Sequence, residues 1–273
     1  MKKTYFGLLI ALCILAYSCQ QDEATVITEK PTASKTQASK LMRQANAWKT
    51  TPISKELVQN QQNISHYAFD VHALQTLIDN STVNYVWFDL GVNAKNQITF
   101  TATGEDVNDA IVGQVTSKII STQTYQADFS VFNRVEDVSF GNVFNHILPN
   151  KDAYQYVTSM KAAYNNFEAS LDQEGQRVER FGLDAMVVKR MLMTKNINTL
   201  GLFLGKNKKE KMTTVFIGMD QGNNLLIDAS TDISTAGKAF DFTAPCPNVC
   251  EPGGPQICAQ YCDSPWWMCC RYK

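Results

Sequence analysis

Between Lys40 and Asp220 the apolar positions fall alternately at helical and strand spacings. Leu41, Met42, Ala45 and Trp48 share one face of a helix over Lys40–Trp48, and Pro52 separates it from a second helical stretch, Ser54–Gln62. Asp70 stands where an N-cap belongs, ahead of Val71, Leu74, Leu77 and Ile78. A strand follows, with Val86, Phe88 and Leu90 on one side and Tyr85, Trp87 and Asp89 on the other. After a Gly/Asn turn, Ile98, Phe100 and Ala102 alternate with Thr99, Thr101 and Thr103. The pattern predicts a β-hairpin with a buried face and a threonine-lined face open to water.

The same pattern recurs. Residues 69–106 and 183–220 align at a constant offset without a gap. Asp70/Asp184, Asn84/Asn198, Leu90/Leu204, Gly91/Gly205, Asn93/Asn207, Lys95/Lys209, Thr99/Thr213, Gly104/Gly218 and Asp106/Asp220 are identical pairs. Helix capping is the cheaper account of the repeated Asp70 and Asp184 than ligand binding. The copies differ on one face: Phe203, Val215 and Ile217 occupy the supposed outer side of the second hairpin, so that hairpin is expected to be covered on both faces. Its cover is expected to be a long helix from Asn150, which caps it, through Val157, Met160, Tyr164, Phe167 and Leu171. Leu225–Ile227 reads as a short strand, whereas Glu105–Thr124 and Tyr125–Phe144 give no firm element. The expected fold is therefore α+β: two helix–hairpin repeats whose antiparallel sheet packs on a long helix in a domain of residues 40–240.

Composition changes this picture at the two ends of the chain. The 273 residues carry a formal net charge of -1, which argues against a nucleic-acid partner, and their 44% apolar content can supply a sizeable core. Of the eight cysteines, Cys13 and Cys19 stand near the start and the other six follow residue 245. Lys2 and Lys3 precede an apolar run, Tyr5–Tyr17, which is short for a membrane span of roughly 20 residues. The run ends at Ala16-Tyr17-Ser18-Cys19, which resembles the looser lipobox of Bacteroidota lipoproteins. The resemblance implies removal of residues 1–18, acylation of Cys19 and a membrane partner reached through that anchor. Gln20-Gln21-Asp22-Glu23 is similar to the acidic signal that exports such lipoproteins to the outer face of the outer membrane. Residues 19–39 then read as a flexible tether rich in Thr, Ser, Lys and Glu. The helix–hairpin unit and Phe240–Pro247 together resemble a pattern of secreted Bacteroidota proteins.

Residues 241–273 form a cysteine-rich tail. Cys246, Cys250, Cys258, Cys262, Cys269 and Cys270 are even in number and belong to an exported chain, so disulfides are expected rather than zinc, which favours tighter Cys-x2-Cys steps and histidine. The two Cys-x3-Cys steps resemble the helical-hairpin arrangement of small plant peptides, which implies Cys246–Cys262 and Cys250–Cys258 pairs. A scheme in which all six pair internally stands beside it. Trp266 and Trp267 either plug this small unit or form a contact surface for a sugar ring or a lipid interface.

Catalytic signals are sparse. The chain has three histidines, His66, His72 and His146, and lacks a nucleophile elbow, a zinc-protease helix or a phosphate-binding loop. His72 aligns with Met186, so packing is expected there. Asp89 with Glu105 or Asp106 is the carboxylate pair a glycan hydrolase would use, although no spacing singles it out. The leading expectation is thus a lipid-anchored, surface-exposed module that binds a protein or glycan without catalysis. It needs no cofactor or metal, and Thr99, Thr101, Thr103, Trp266 and Trp267 are its candidate contact residues. A cell-surface hydrolase of glycan or peptide and a secreted effector with an active cysteine-rich tail are the alternatives.

Overall fold

The computed structural model describes residues 35–135, 146–173, 176–228, 236–241 and 245–246. The first half contains α1 (Lys35–Thr50), α2 (Lys55–Gln62), β1 (Ile64–Asp70), α3 (Val71–Ile78), β2 (Tyr85–Val92), β3 (Ile98–Glu105), β4 (Ile111–Thr116) and β5 (Lys118–Ser121). The second contains α4 (Val131–Arg134), β6 (Ile147–Leu148), α5 (Asn150–Ala162), α6 (Phe167–Leu171) and the strand pair β7 (Asp172–Gln173) and β8 (Gln176–Arg177). It ends with β9 (Arg180–Asp184), α7 (Ala185–Leu192), β10 (Thr199–Lys206), β11 (Met212–Met219), β12 (Ala239–Asp241) and β13 (Pro245–Cys246). The chain is α+β, with antiparallel sheets.

Two sheets, rather than one, organise it. A six-stranded sheet has the order β5-β1-β10-β11-β12-β6, and a five-stranded sheet has the order β13-β9-β2-β3-β4. Their inner faces meet in one core, where Phe88 lies 4.6 Å from Phe216 and Phe69 packs edge-on against Phe88. Val86, Phe88, Leu90, Leu200, Leu202 and Phe216 are all buried there, as the strand alternation predicts. Packed aromatics in this geometry add to the gain from burial alone. α1 lies on the outer face of the five-stranded sheet, against β2, and α5 lies on the outer face of the other, against β10 and β11.

The pairing of lead strands follows a rule. β1, which enters the first hairpin's helix, pairs with the second hairpin: Asp70 sits opposite Thr199 and Tyr67 opposite Leu202. β9 does the reverse, with Asp184 opposite Tyr85 and Phe181 opposite Phe88. These are corresponding pairs under the sequence offset, and α3 packs against α7. The strand after each hairpin also passes to the other sheet. β4 borders β3 and leads through Ser117 into β5 beside β1, while β12 borders β11 and β13 pairs with β9.

The residues kept in both hairpins are structural. Asp70 accepts the Ala73 N–H at 2.7 Å and Asp184 the Met186 N–H at 2.7 Å, capping α3 and α7. Asn93 and Asn207 each take two backbone N–H groups at the hairpin tips. Asp106 and Asp220 hold the turns after β3 and β11 in the same manner. Gly91 and Gly205 sit where a helix crosses closely: a Cβ there would come within 3.0 Å of Gln44 Cβ and 3.2 Å of Tyr156 Cβ respectively.

Several sequence expectations need correction. The first hairpin is not open on its threonine face, because α1 lies over it; Thr99, Thr101 and Thr103 are all buried. The long helix breaks into α5, a 3-10 turn over Ala163–Asn166, and α6. Asn150 does not cap it; Pro149 precedes the helix, and Asn150 donates to the Val135 carbonyl instead. Leu225 makes an isolated bridge to Met219 rather than a strand. Glu105–Thr124, without a clear pattern in the sequence, supplies β4 and β5. The expected double burial of the second hairpin is present: Phe203, Val215 and Ile217 pack with Tyr156 and Val157 of α5.

Candidate functional site

The outer face of the five-stranded sheet gathers charged, aromatic and hydroxyl side chains. Strand alternation puts Trp87 and Asp89 of β2 on this face, with Thr101, Thr103 and Glu105 of β3 beside them. β9 contributes Arg180, directly opposite Asp89, and β4 contributes Gln114, directly opposite Thr103. Arg180 Nε donates to Asp89 Oδ1 at 2.7 Å, and its Nη2 donates to Glu105 Oε1 at 3.0 Å. Thr103 Oγ1 donates to Asp89 Oδ2 at 2.5 Å and accepts from Gln114 Nε2 at 3.0 Å. One guanidinium thus bridges two carboxylates. Such charge-assisted bonds in a fixed fork hold all three side chains in register.

Trp87 lies under this bridge, with the Arg180 guanidinium 4.6 Å from its ring centre. Gly182 makes room for it: a Cβ at that position would come 2.4 Å from Trp87 Cζ3. The indole is half-buried, and its Nε1 is shielded from water without a hydrogen-bond partner. Burial raises the Glu105 carboxyl above its ordinary value, against the pull of Arg180. Asp106, the other candidate for a carboxylate pair, is held by the N–H groups of Asn108 and Ala110 in a solvent-exposed turn.

The candidate threonines therefore lie on this face, but beneath its charged side chains. Thr103 links Asp89 to Gln114, and none of the three buried threonines presents a hydroxyl ladder to water. Trp266 and Trp267 lie outside the described residues, as do Cys19, Cys250, Cys258, Cys262, Cys269 and Cys270. Cys246 enters through its backbone alone, paired with Arg180 at the edge of the sheet. The sequence offers Asp89 with Glu105 or Asp106 as a candidate carboxylate pair that no spacing singles out, and it does not mark Arg180 and Trp87 beside it. The signal was Gly182, a glycine inside a strand, which marks a close approach once the register with Trp87 is known.

Elsewhere the polar groups read as structure. His66 is buried between Tyr125 and Phe203, at 5.5 and 5.0 Å between ring centres, and burial pulls its pKa down to about 4. His72 and Met186 both face solvent, so neither has the packing role expected of that position. A water-sized cavity between Gln61, Tyr67, Lys161 and Tyr164 is occupied on its walls by the Tyr67–Gln61 hydrogen bond, 2.9 Å long. Among the described residues no helix is long and apolar enough to cross a membrane. Compared with known proteins, the chain matches no family model, no curated protein and no solved structure.

Proposed function

We propose that this protein is a lipid-anchored module of the outer-membrane surface, built from a duplicated helix–hairpin unit, that binds a polar ligand without catalysis. The leader and the acidic residues after Cys19 support the anchor and the export. The register shared by β1–β10 and β9–β2 supports duplication. The observation that carries the binding reading is the Asp89–Arg180–Glu105 bridge laid over Trp87. A half-buried indole beside preorganised polar groups suits the apolar ring face and hydroxyl edges of a saccharide.

Asp89 is tied into the bridge through both oxygens, one accepting from Arg180 and one from Thr103, and this fixed structural engagement supports binding over hydrolysis. The soluble chain lacking residues 1–19, applied to an array of glycans and cell-envelope polysaccharides, is expected to bind a saccharide class and to lose that binding in Trp87→Ala. An array without any binding, or binding that survives Trp87→Ala unchanged, overturns the reading. Turnover of a bound glycan that disappears in Glu105→Gln would establish the hydrolase instead. Cys19→Ser is expected to release the protein from the membrane fraction; unchanged fractionation refutes lipidation.

A further inference from the structure

The Asp89–Arg180–Glu105 bridge is short of positive charge. Among the described residues Arg180 is the one cation bonded to either carboxylate, so two carboxylates share a single guanidinium. That guanidinium reaches one oxygen of each. The other oxygen of Asp89 is engaged by Thr103. Glu105 differs. Its side chain is 8% exposed, yet its second oxygen, Oε2, has no hydrogen-bond partner among the described residues and, unlike Trp87 Nε1, is not sealed from water. Burial outweighs Arg180 in setting the acidity of this carboxyl, and the negative charges of Asp89 and Asp109 push the same way as burial. Glu105 is therefore a carboxylate stripped of most of its water, with a shared counter-ion and one acceptor left open at the surface.

Resting on the saccharide reading of this face, we propose that its ligand is an amino sugar with a free ammonium, and that Glu105 Oε2 is the acceptor that selects the amine over its acetylated form. A desolvated charge without full compensation gains most from an opposite charge that also donates hydrogen bonds. An ammonium brings three N–H donors and the missing positive charge, so it completes the bridge and holds Glu105 ionised. An acetamide at the same place brings one N–H, no charge and a carbonyl oxygen that repels the carboxylate. The indole is close enough to share the ligand. Trp87 pairs with Thr103 and Tyr85 with Glu105, so Trp87 and Glu105 are diagonal neighbours on one face, roughly 7–8 Å apart along the sheet. One sugar ring packed against the indole covers that distance with an amine on its edge. A lysine side chain offers the same ammonium but no ring for Trp87, and the experiment keeps the two apart.

The full chain, purified in detergent, is titrated calorimetrically with a glucosamine oligomer, its fully N-acetylated counterpart and an oligolysine peptide, at a pH that keeps the amines protonated. The glucosamine oligomer is expected to bind at least about tenfold more tightly than either competitor, the value of one charge-assisted hydrogen bond. In Glu105→Gln the preference for amine over acetamide is expected to collapse. If that variant fails to fold, the parent is titrated at a pH that deprotonates the amine, where a preference that persists counts against the proposal. Equal or tighter binding of the acetylated oligomer, a preference kept in Glu105→Gln, or oligolysine bound as tightly as the amino sugar overturns it. Such a result with Trp87-dependent saccharide binding intact leaves the binding reading standing, whereas a chain that takes no saccharide at all removes both.

Discussion

The outer faces of the two sheets are built on the same strand register and carry opposite chemistry. In the six-stranded sheet the corresponding positions are His66, Phe203, Val215, Ile217 and Met219, all buried beneath α5 and the segment through Phe132. In the five-stranded sheet they are Arg180, Asp89, Thr101, Thr103 and Glu105, where hydrogen bonds tie Arg180 to both Asp89 and Glu105, and Thr103 to Asp89. The inner faces are alike, both apolar and packed on each other. The shared register and the shared inner face fix how the molecule is built, and the outer faces are free to differ. One is made permanent core, and the other keeps charges whose desolvation must be offset by pairing.

The contrast breaks hardest at Phe203. Phe203→Asp places a carboxylate in the apolar layer under α5 without the arginine its counterpart enjoys. It should cost about 4–5 kcal/mol, enough to unfold a domain of ordinary stability. Asp89→Phe, the reverse change, leaves Arg180 bonded to Glu105 and should cost only about 1–2 kcal/mol. Urea denaturation of both variants checks the pair, and equal losses would show that the faces do not differ in burial.

Acid should separate the faces with opposite signs. His66 is held neutral, its folded pKa of about 4 lying below its ordinary 6.5. The unfolded chain therefore takes up a proton first, and stability falls as pH drops from about 7 towards 4, by roughly 3 kcal/mol from this group. Glu105 has a raised folded pKa, so its contribution is present at low pH and is lost as pH rises through that value. His66→Phe should flatten the loss near pH 5, whereas Glu105→Gln should remove the opposing trend. A stability–pH curve unchanged in His66→Phe would refute the burial of this histidine as a source of acid sensitivity.

Arg180→Met sharpens the other half. It retains the aliphatic stem over Trp87 but leaves Asp89 and Glu105 facing each other without a cation. With Arg180 and Asp89 partly wet and Glu105 buried, a loss of about 2 kcal/mol is expected, larger at neutral than at acid pH because protonating Glu105 relieves the repulsion. An Arg180→Met, Asp89→Asn, Glu105→Gln triple variant should recover much of it.

Much of this architecture was legible from the residues. Alternation in Val86–Leu90 and Leu200–Leu204 placed both hairpins and their inner faces, and the repeated Asp, Asn and Gly residues marked caps and turns. Three things were hidden. β1 and β9 precede the helix caps, and their short Ile64–Asp70 and Arg180–Asp184 runs mix apolar and charged residues too closely to stand out. Their exchange between hairpins is a long-range pairing, and periodicity along the chain does not report which strand neighbours which. The threonine face misled for a related reason. Thr99, Thr101 and Thr103 read as wet because threonine is polar, but a neighbouring strand's Arg180 and a helix far away in sequence decide what covers them. Asp89 and Glu105 could be suspected as a pair; the arginine between them could not.

The smallest difference expected lies at the two helix crossings. At Gly91 an added methyl would meet Thr99 Oγ1 at 2.8 Å and Gln44 Cβ at 3.0 Å, with the Gln44 backbone carbonyl carbon at 3.3 Å. α1 would have to move away from the sheet as a unit. At Gly205 the nearest atoms are Thr213 Cγ2 and Tyr156 Cβ, both at 3.2 Å, which a shift of a few tenths of an ångström relieves. Gly91→Ala should therefore lower stability by about 1–2 kcal/mol, while Gly205→Ala should stay within about 1 kcal/mol of the parent, because alanine also favours the extended chain over glycine. Hydrogen exchange locates the damage: in Gly91→Ala the amides of α1 should lose protection while those of α5 do not. Equal losses at both crossings would mean that α1 holds its sheet no more tightly than α5 holds the other, and the closer approach at Gly91 would carry no energetic weight.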